Sequence, residues 1–543
     1  MAILKHLFTD LTSTMSVASI ALLVYFLVRQ YSRIKRLPPG PWGFPVIGVL
    51  FSIKKEFHLF LMDHVKTFGK VLSLKMGSET IVVISDHKLI KKAFMSRDFT
   101  ARPKTELTDL LGGYGVINAE GDLWKSQRRY LLNQKLGMRH WGPGMSQIEK
   151  RVEHEAVQLL DTLYREHNSV PVNPAALVNC AVSNVICSMI MNTRFEHTSS
   201  EFQHFMHIFD EGFRLFTLTG AMIYLPFLKY MPGVSKALKQ LRSNRAEMLE
   251  FVKKIIDSHK EDLDPTNPRD LIDSYLITIE KMRQSNNNND EVATEDIFHG
   301  FDPEVQLEQI ILDLFSAGVE TLKTSVLWSI VYMLHYPEVM RKVQAELDAK
   351  VGPNRLPTVK DMSQLTYTKA TMYEIMRRSS VVPMGTTHST DRAVEFEGYV
   401  IPQNAHVIPL LHAVHMDPEV WDKPEELRPE RFLTADGSAV QKPENFLPFG
   451  IGQRMCLGDQ LAEKEFFLFF TTLLHCFDLQ SPKDTPLPSL RGVAAVTVTP
   501  EDFEVICVPR NLSALHNSMS SEDFKDSTNL WSSAISHQSR TYG

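Results

Sequence analysis

From Phe446 the chain reads Phe446-Leu447-Pro448-Phe449-Gly450-Ile451-Gly452-Gln453-Arg454-Met455-Cys456-Leu457-Gly458-Asp459, and an apolar helical segment follows at once. The glycines let a backbone loop fold tightly under a bound group. The loop delivers Cys456 to the start of a helix, where amide donors favour a thiolate. Taken alone, a cysteine in such a place is more often a small buried residue than a ligand. A second polar step, Ala317-Gly318-Val319-Glu320-Thr321, interrupts the long apolar run from Leu307 to Leu334. A glycine there costs helix propensity, and an acid and a hydroxyl cost desolvation unless they find partners. The plainer reading is an exposed stripe on an amphipathic helix. Glu374 and Arg377 stand three residues apart on one helical face, and Trp124 and Arg128 are one turn apart. Such pairs are common on any solvated helix.

The whole pattern F-x-x-G-x-R-x-C-x-G is far more restrictive, and it resembles the haem-binding loop of the cytochrome P450 family. The resemblance implies haem b with Cys456 as the axial thiolate ligand of iron, and Phe449, Gly450 and Gly458 in the same cofactor-binding loop. Ala317 to Thr321 resembles the family's oxygen-activation motif. There a local helix distortion makes room for dioxygen, and the positions of Glu320 and Thr321 manage proton delivery. Arg431, in Pro429-Glu430-Arg431-Phe432, matches the family's later arginine. The implied Glu374–Arg377–Arg431 cluster is a buried ion network that scaffolds the cysteine loop rather than acting in catalysis. Similarity further implies Arg102, Trp124, Arg128, His388 and Arg454 as donors to the haem propionates. The likeness runs from Leu37 to about Val508.

These residues need elements to carry them. Helical periodicity is evident at Val157–Leu163, Leu307–Leu334, Val339–Leu347, Tyr367–Arg378 and Gln460–Cys476. Strand-like runs are short: Ile81–Ile84, then Val394–Phe396 and Tyr399–Ile401 around the turn Glu397-Gly398. The expected fold class is mainly α with a small antiparallel β-sheet region, the cytochrome P450 fold, preceded by one N-terminal transmembrane helix. Leu11 to Val28 is uncharged and, at roughly 1.5 Å per residue, just long enough to cross a bilayer core of about 30 Å. Arg29, Arg33, Lys35 and Arg36 follow it without an acid among them, so this flank is expected on the cytosolic side. The expected division is an anchor with its basic flank over 1–36, a haem-thiolate domain over 37–510, and a Ser-rich tail without structure over 511–543. Asn286–Asn289 is expected to be an exposed loop.

A formal net charge of -6 excludes a general nucleic-acid binder. Five irregularly spaced cysteines with no CxxC pair give neither a disulfide framework nor a zinc knuckle, in keeping with a reducing compartment. No G-x-G-x-x-G follows a strand and no flavin module is fused, so electrons must come from another protein. For an anchored member of this family the resemblance implies an endoplasmic reticulum membrane location, with NADPH–cytochrome P450 reductase as donor, NADPH used indirectly and cytochrome b5 as a second candidate partner. Dioxygen and a lipophilic steroid are the expected substrates.

Within the family, Gly113–Asn118, Val182–Cys187, Asn244–Met248, Arg377–Ser380 and Val414–Pro418 look like the arthropod ecdysteroid 26-hydroxylases. Another steroid hydroxylase, such as an ecdysteroid 25-hydroxylase, and a broad xenobiotic oxidase are the neighbouring readings. A haem-binding sensor that never turns over has no use for Glu320 and Thr321. A lipid carrier without haem leaves Cys456 and its glycines unexplained.

Overall fold

The computed structural model describes residues 36–521 and 524, apart from 42, 45, 55, 134–144, 167–168, 197–198 and 289–295. The longer helices are α1 (Gly121–Asn133), α2 (Met145–Glu166), α3 (Ala175–Met191), α4 (Ser200–Thr219), α5 (Pro232–Glu261), α6 (Leu271–Asn288), α7 (Pro303–His335), α8 (Pro337–Lys350), α9 (Thr366–Ser379), α10 (Asp459–Cys476) and α11 (Leu512–Ser520). The proposed membrane span lies outside the described residues. Among those described, no helix is long and apolar enough to cross a membrane.

Helix α7 organises the rest. The Asp302 carboxylate accepts hydrogen bonds from the Glu304 and Val305 N–H groups, and Pro303 takes the first helical position, where its missing N–H costs nothing. The 33 residues that follow extend about 50 Å. Pro337 then stops the run and opens α8. Because α7 is apolar on nearly every face, it must lie inside the molecule. Its C-terminal half packs with α2, α8, α9 and α10 around Trp328, Tyr332, Phe466, Phe467 and Phe469, and its N-terminal half packs with α3 to α6 around Phe205, Phe209, Tyr275 and Phe315.

The main sheet has the order β1 (Val71–Met76), β2 (Glu79–Ile84), β6 (His406–Pro409), β3 (His388–Ser389). It is mixed, not antiparallel as expected. β2 and β6 run parallel, with Ile81 opposite His406, because more than three hundred residues of helix and loop return the chain to the sheet in the same direction. The predicted hairpin forms as β4 (Val394–Phe396) and β5 (Tyr399–Ile401), with both turn residues at positive φ, Glu397 at 52° and Gly398 at 78°. Two small pairs complete the strands: β7 (Phe477–Gln480) with β10 (Ile506–Pro509), and β8 (Val493–Ala494) with β9 (Val498–Thr499).

Two expectations about loops fail. Asn286 to Asn288 are the last turn of α6, not a loop; once Ile272, Tyr275 and Ile279 anchor that helix in the core, each further residue extends it at little cost. The Ser-rich end does not lose structure at Asn511. Ala514 and Leu515 are buried on α11, Asn511 donates to Asp348 Oδ1 at 3.1 Å and Ser513 to Pro353 O at 2.9 Å. Leu512, Leu515 and Met519 give this short helix an apolar stripe at i, i+3 and i+7 that serine content conceals.

Candidate active site

The cysteine loop is shaped by close approach. Gly452, at φ 89°, lies so near Phe94 that an added Cβ would sit 2.1 Å from the Phe94 carbonyl oxygen, whereas Gly450, at φ 69°, has open space around it and is needed only for its backbone angle. The Gln453 N–H donates to Phe94 O at 3.1 Å, and the Cys456 N–H to Phe449 O at 3.0 Å, closing the loop on itself. Gly458 caps α10 at φ -101°, so it does not use a left-handed conformation.

Cys456 is exposed while Cys187, Cys476 and Cys507 are buried. Ala317 is exposed too, although it sits mid-way along a helix otherwise enclosed by protein. An accessible cysteine and an accessible point in the middle of the long helix each leave room for a bound group. Burial pushes the Cys456 thiol up, with Asp459 adding to it; the Gly458 N–H and Arg128 pull the other way without prevailing. A cation bound at the sulfur would favour the thiolate.

Beside the loop lie three guanidiniums. Arg454 donates to Thr100 O at 3.0 Å, Val116 O at 3.3 Å and Ala119 O at 2.7 Å, and stacks 3.9 Å from the centre of the Trp124 ring. Arg102 donates to Ile117 O at 2.9 Å and Thr387 O at 2.8 Å, and Arg128 to Met455 O at 2.6 Å. Burial, followed by the repulsion of Arg102, holds Arg454 down to about 8, and burial holds Arg102 down to about 10. Glu120 is the acid that opposes them. Arg102 is buried and Arg454 half-buried close to it, a cationic setting that suits a group bearing carboxylates. His388 fits less well. Its Nδ1 donates to Phe99 O at 2.7 Å, and burial together with Arg102 pushes its proton affinity down to about 3. In that neutral form Nε2 carries no proton to offer a propionate.

Glu374 and Arg377 are completely buried and form a bidentate pair, Nε to Oε2 at 2.7 Å and Nη2 to Oε1 at 2.8 Å; Arg431 Nε joins at 3.2 Å. The network reaches the cysteine loop through a residue whose role sequence reasoning missed. Arg377 Nη1 donates to His415 O at 2.7 Å, and His415 Nε2 accepts the Leu447 N–H at 3.0 Å. His415 is buried and held neutral, its proton affinity pushed down to about 3 by burial and then by Arg377. A histidine directly after the largely apolar stretch Leu410–Val414 was the sequence signal.

On α7 the backbone is helical without interruption across Ala317–Thr321. Gly318 serves packing: a Cβ would meet Ile186 Cδ1 of α3 at 2.7 Å. Thr321 Oγ1 donates to Ala317 O at 2.8 Å. Two turns earlier, Asp313 holds the loop that begins at Gly113, its Oδ2 accepting the Val116 N–H at 2.7 Å and the Ile117 N–H at 2.9 Å. Gln306 adds a two-way bond with Gly115, and Gln309 ties Asp313 to Arg245 of α5. This clasp was also missed, though a carboxylate inside an apolar helix could have announced it. Thr217 and Thr219, attractive as substrate contacts, spend their hydroxyls on carbonyls of their own helix.

An accessible cysteine on a tight loop, with guanidiniums beside it, suits a metal-bearing group with carboxylates held on that cysteine, the architecture of a haem-thiolate protein. The family described as Cytochrome P450 matches residues 38–507. The chain is 47% identical over 90% of its length to Cytochrome P450 18a1 of Drosophila melanogaster, covering 89% of that protein. It is 34% identical to Cytochrome P450 2U1 of Bos taurus, over 87% of this chain and 89% of that one, and 32% identical to Cytochrome P450 2J5 of Mus musculus, over 92% and 96%. This chain belongs to the cytochrome P450 family, monooxygenases that bind haem through a cysteine thiolate and use NADPH through a reductase.

Proposed function

We propose that this monooxygenase hydroxylates an ecdysteroid on its side chain, at carbon 26, and so inactivates moulting hormone. The observation that carries this reading is the resemblance of five segments to arthropod ecdysteroid 26-hydroxylases, supported by 47% identity to a Drosophila melanogaster P450. Four of the five segments meet in pairs. Gly113–Asn118 and Asn244–Met248 join through Asp313, Gln309 and Arg245, while Arg377–Ser380 and Val414–Pro418 join at His415, where Ser380 Oγ lies 3.0 Å from Nδ1. The second pair supports the cysteine loop through the Leu447 N–H bond to His415.

Cys456 is the iron ligand in this reading, and Arg102, Trp124, Arg128 and Arg454 hold the propionates. The bound haem supplies the oxidising power for an unactivated C–H bond. The protein's own task is to place the steroid side chain over that site, exclude water and deliver protons. The Thr321 hydroxyl, which both donates and accepts, passes on a proton that Glu320 takes up. An ecdysteroid's hydroxyls need polar partners, at roughly 1–3 kcal/mol for each left unmade. The exposed Thr386 and half-buried Asn118 are the side chains offered.

A location at the cytosolic face of the endoplasmic reticulum rests on the uncharged N-terminal run and on a bare apolar surface. Phe44, Val46, Phe51, Phe227, Tyr230 and Met231 are all exposed. Their segments are neighbours, because Gly77 donates to Ile47 O at 3.0 Å and Ser78 to Tyr224 O at 3.1 Å. The electron donors are NADPH–cytochrome P450 reductase and cytochrome b5.

The test is incubation of the full-length protein, reductase and NADPH with 20-hydroxyecdysone. The expected results are a substrate-induced spin-state shift and a 26-hydroxylated product. A 25-hydroxylated product, or turnover of xenobiotics with no ecdysteroid product under matched conditions, overturns the reading.

A further inference from the structure

The main sheet carries an acid and an imidazole on an apolar face. Glu79 pairs with Met76 across the β1–β2 turn, and Ile81 pairs with His406 of β6, so Glu79, Ile81 and His406 project from the same side. Leu72, Leu74, Val83 and Ile408 make up the rest of that face, and Tyr224, from the connection between α4 and α5, packs on it. Backbone contacts fix Tyr224 there. The Ser78 N–H donates to Tyr224 O at 3.1 Å, and Gly77, at φ 56°, lies so close that an added Cβ would sit 1.7 Å from the same oxygen.

These polar groups meet without bonding one another. His406 is 4% exposed, yet neither ring nitrogen has a hydrogen-bond partner among the described residues; its Nε2 stands 3.6 Å from Oε2 of Glu79, beyond hydrogen-bond range. The Tyr224 hydroxyl has no partner among the described residues either, and its ring lies 6.2 Å from that of His406. The other Glu79 oxygen, Oε1, accepts the Ser78 hydroxyl at 2.8 Å. Lys75 projects from the opposite side of the hairpin, where it donates to Ser78 O and Thr80 Oγ1. Buried polar groups are paired as a rule, so an unpartnered imidazole beside a free carboxylate oxygen and a phenol is a site short of its ligand. Burial lowers the proton affinity of His406 against the pull of Glu79, and burial followed by Glu79 pushes the Tyr224 phenol up to about 12. The set is then one acceptor-only carboxylate, a neutral imidazole with one N–H and one lone pair, and a phenol O–H. Adjacent hydroxyls, which donate and accept at once, complement it; an anion does not.

We propose that Glu79, His406 and Tyr224 form a subsite for the vicinal diol on ring A of the ecdysteroid nucleus. The proposal rests on the substrate and orientation given above. With the side chain at the haem, ring A is the end of the steroid farthest from the oxidised carbon. The sheet face leads back toward that site: Met384, packed on the same cluster, lies two residues before the exposed Thr386, and Val407, next to His406, pairs with His388. One hydroxyl donates to Glu79 Oε2, its neighbour accepts the Tyr224 O–H, and His406 makes the bond that remains.

The experiment titrates the full-length holoenzyme with 20-hydroxyecdysone and with an analogue lacking both ring-A hydroxyls, reading the spin-state shift; the CO spectrum of each variant reports loss of fold separately. Glu79→Gln should weaken binding of 20-hydroxyecdysone about tenfold and Tyr224→Phe about fivefold, while each changes affinity for the analogue by less than about twofold. His406→Phe, which fills the same space without the nitrogens, should behave as Tyr224→Phe does. Equal weakening of both steroids would assign these residues to packing and overturn the proposal. Unchanged affinity for 20-hydroxyecdysone in all three variants would leave the site to water alone and overturn it as well. A wild-type protein that gives neither shift nor product with 20-hydroxyecdysone overturns the underlying reading, and the subsite falls with it.

Discussion

Replacing Glu374 by alanine probes the scaffold behind the cysteine loop. The carboxylate receives two charge-assisted bonds from Arg377, at 2.7 and 2.8 Å, one from Arg431 at 3.2 Å, and the Arg428 N–H at 2.9 Å. Removing it leaves Arg377 fully buried, with bonds to neutral groups: the carbonyls of His415, Pro424 and Glu426 and the Met416 sulfur. An uncompensated buried charge costs about 3–5 kcal/mol, which is roughly two to four orders of magnitude in the folding equilibrium. Much of that loss falls on the 415–431 segment, hence on the His415 contact to Leu447 and the loop carrying Cys456. The assay pairs haem content, read from the CO spectrum of the reduced protein, with thermal unfolding. Tm should fall by at least about 5 °C, and most of the purified chain should lack haem. Arg431→Ala should cost less, because Glu374 keeps its bidentate partner. A Glu374→Ala protein with full haem content and a wild-type Tm would refute the argument.

Cys456→His should abolish the red-shifted Soret band of a thiolate-ligated haem in the reduced, CO-bound protein, while replacement of Cys180, Cys187, Cys476 or Cys507 should preserve it; an unchanged spectrum in Cys456→His would remove Cys456 from the iron. Glu465 on α10 is buried, its Oε1 has no hydrogen-bond partner among the described residues, and burial pushes its carboxyl up from the usual 4.5 to about 8. Between those values the folded state keeps a proton that the unfolded chain releases, so stability falls as pH rises through this window, by about 3 kcal/mol at pH 7. Glu465→Gln should recover most of that loss in denaturant melts at pH 7 and gain nothing near pH 4.5; equal gains at both values would contradict the assignment.

Legibility in the sequence followed the range of the interactions. The helices at Leu307–Leu334, Tyr367–Arg378 and Gln460–Cys476 and the Glu397-Gly398 hairpin were readable because apolar period and turn chemistry are set by neighbours within a few residues. The family, and with it the haem and the class of reaction, was readable because Phe449 to Gly458 is a contiguous string whose pattern few other sites share. Tertiary structure decided what depends on residues far apart in the chain. It turned β6 parallel to β2, gave Gly318 to Ile186 rather than to dioxygen, spent the proton of His388 on Phe99, and brought Asp313 to a loop nearly two hundred residues earlier. It also put the ammonium of Lys323 2.6 Å from Glu320 and 3.6 Å from Asp210, on a helix more than a hundred residues upstream. Burial and electrostatics act through space, and a sequence read one turn at a time carries no record of which distant charge will share a cavity wall.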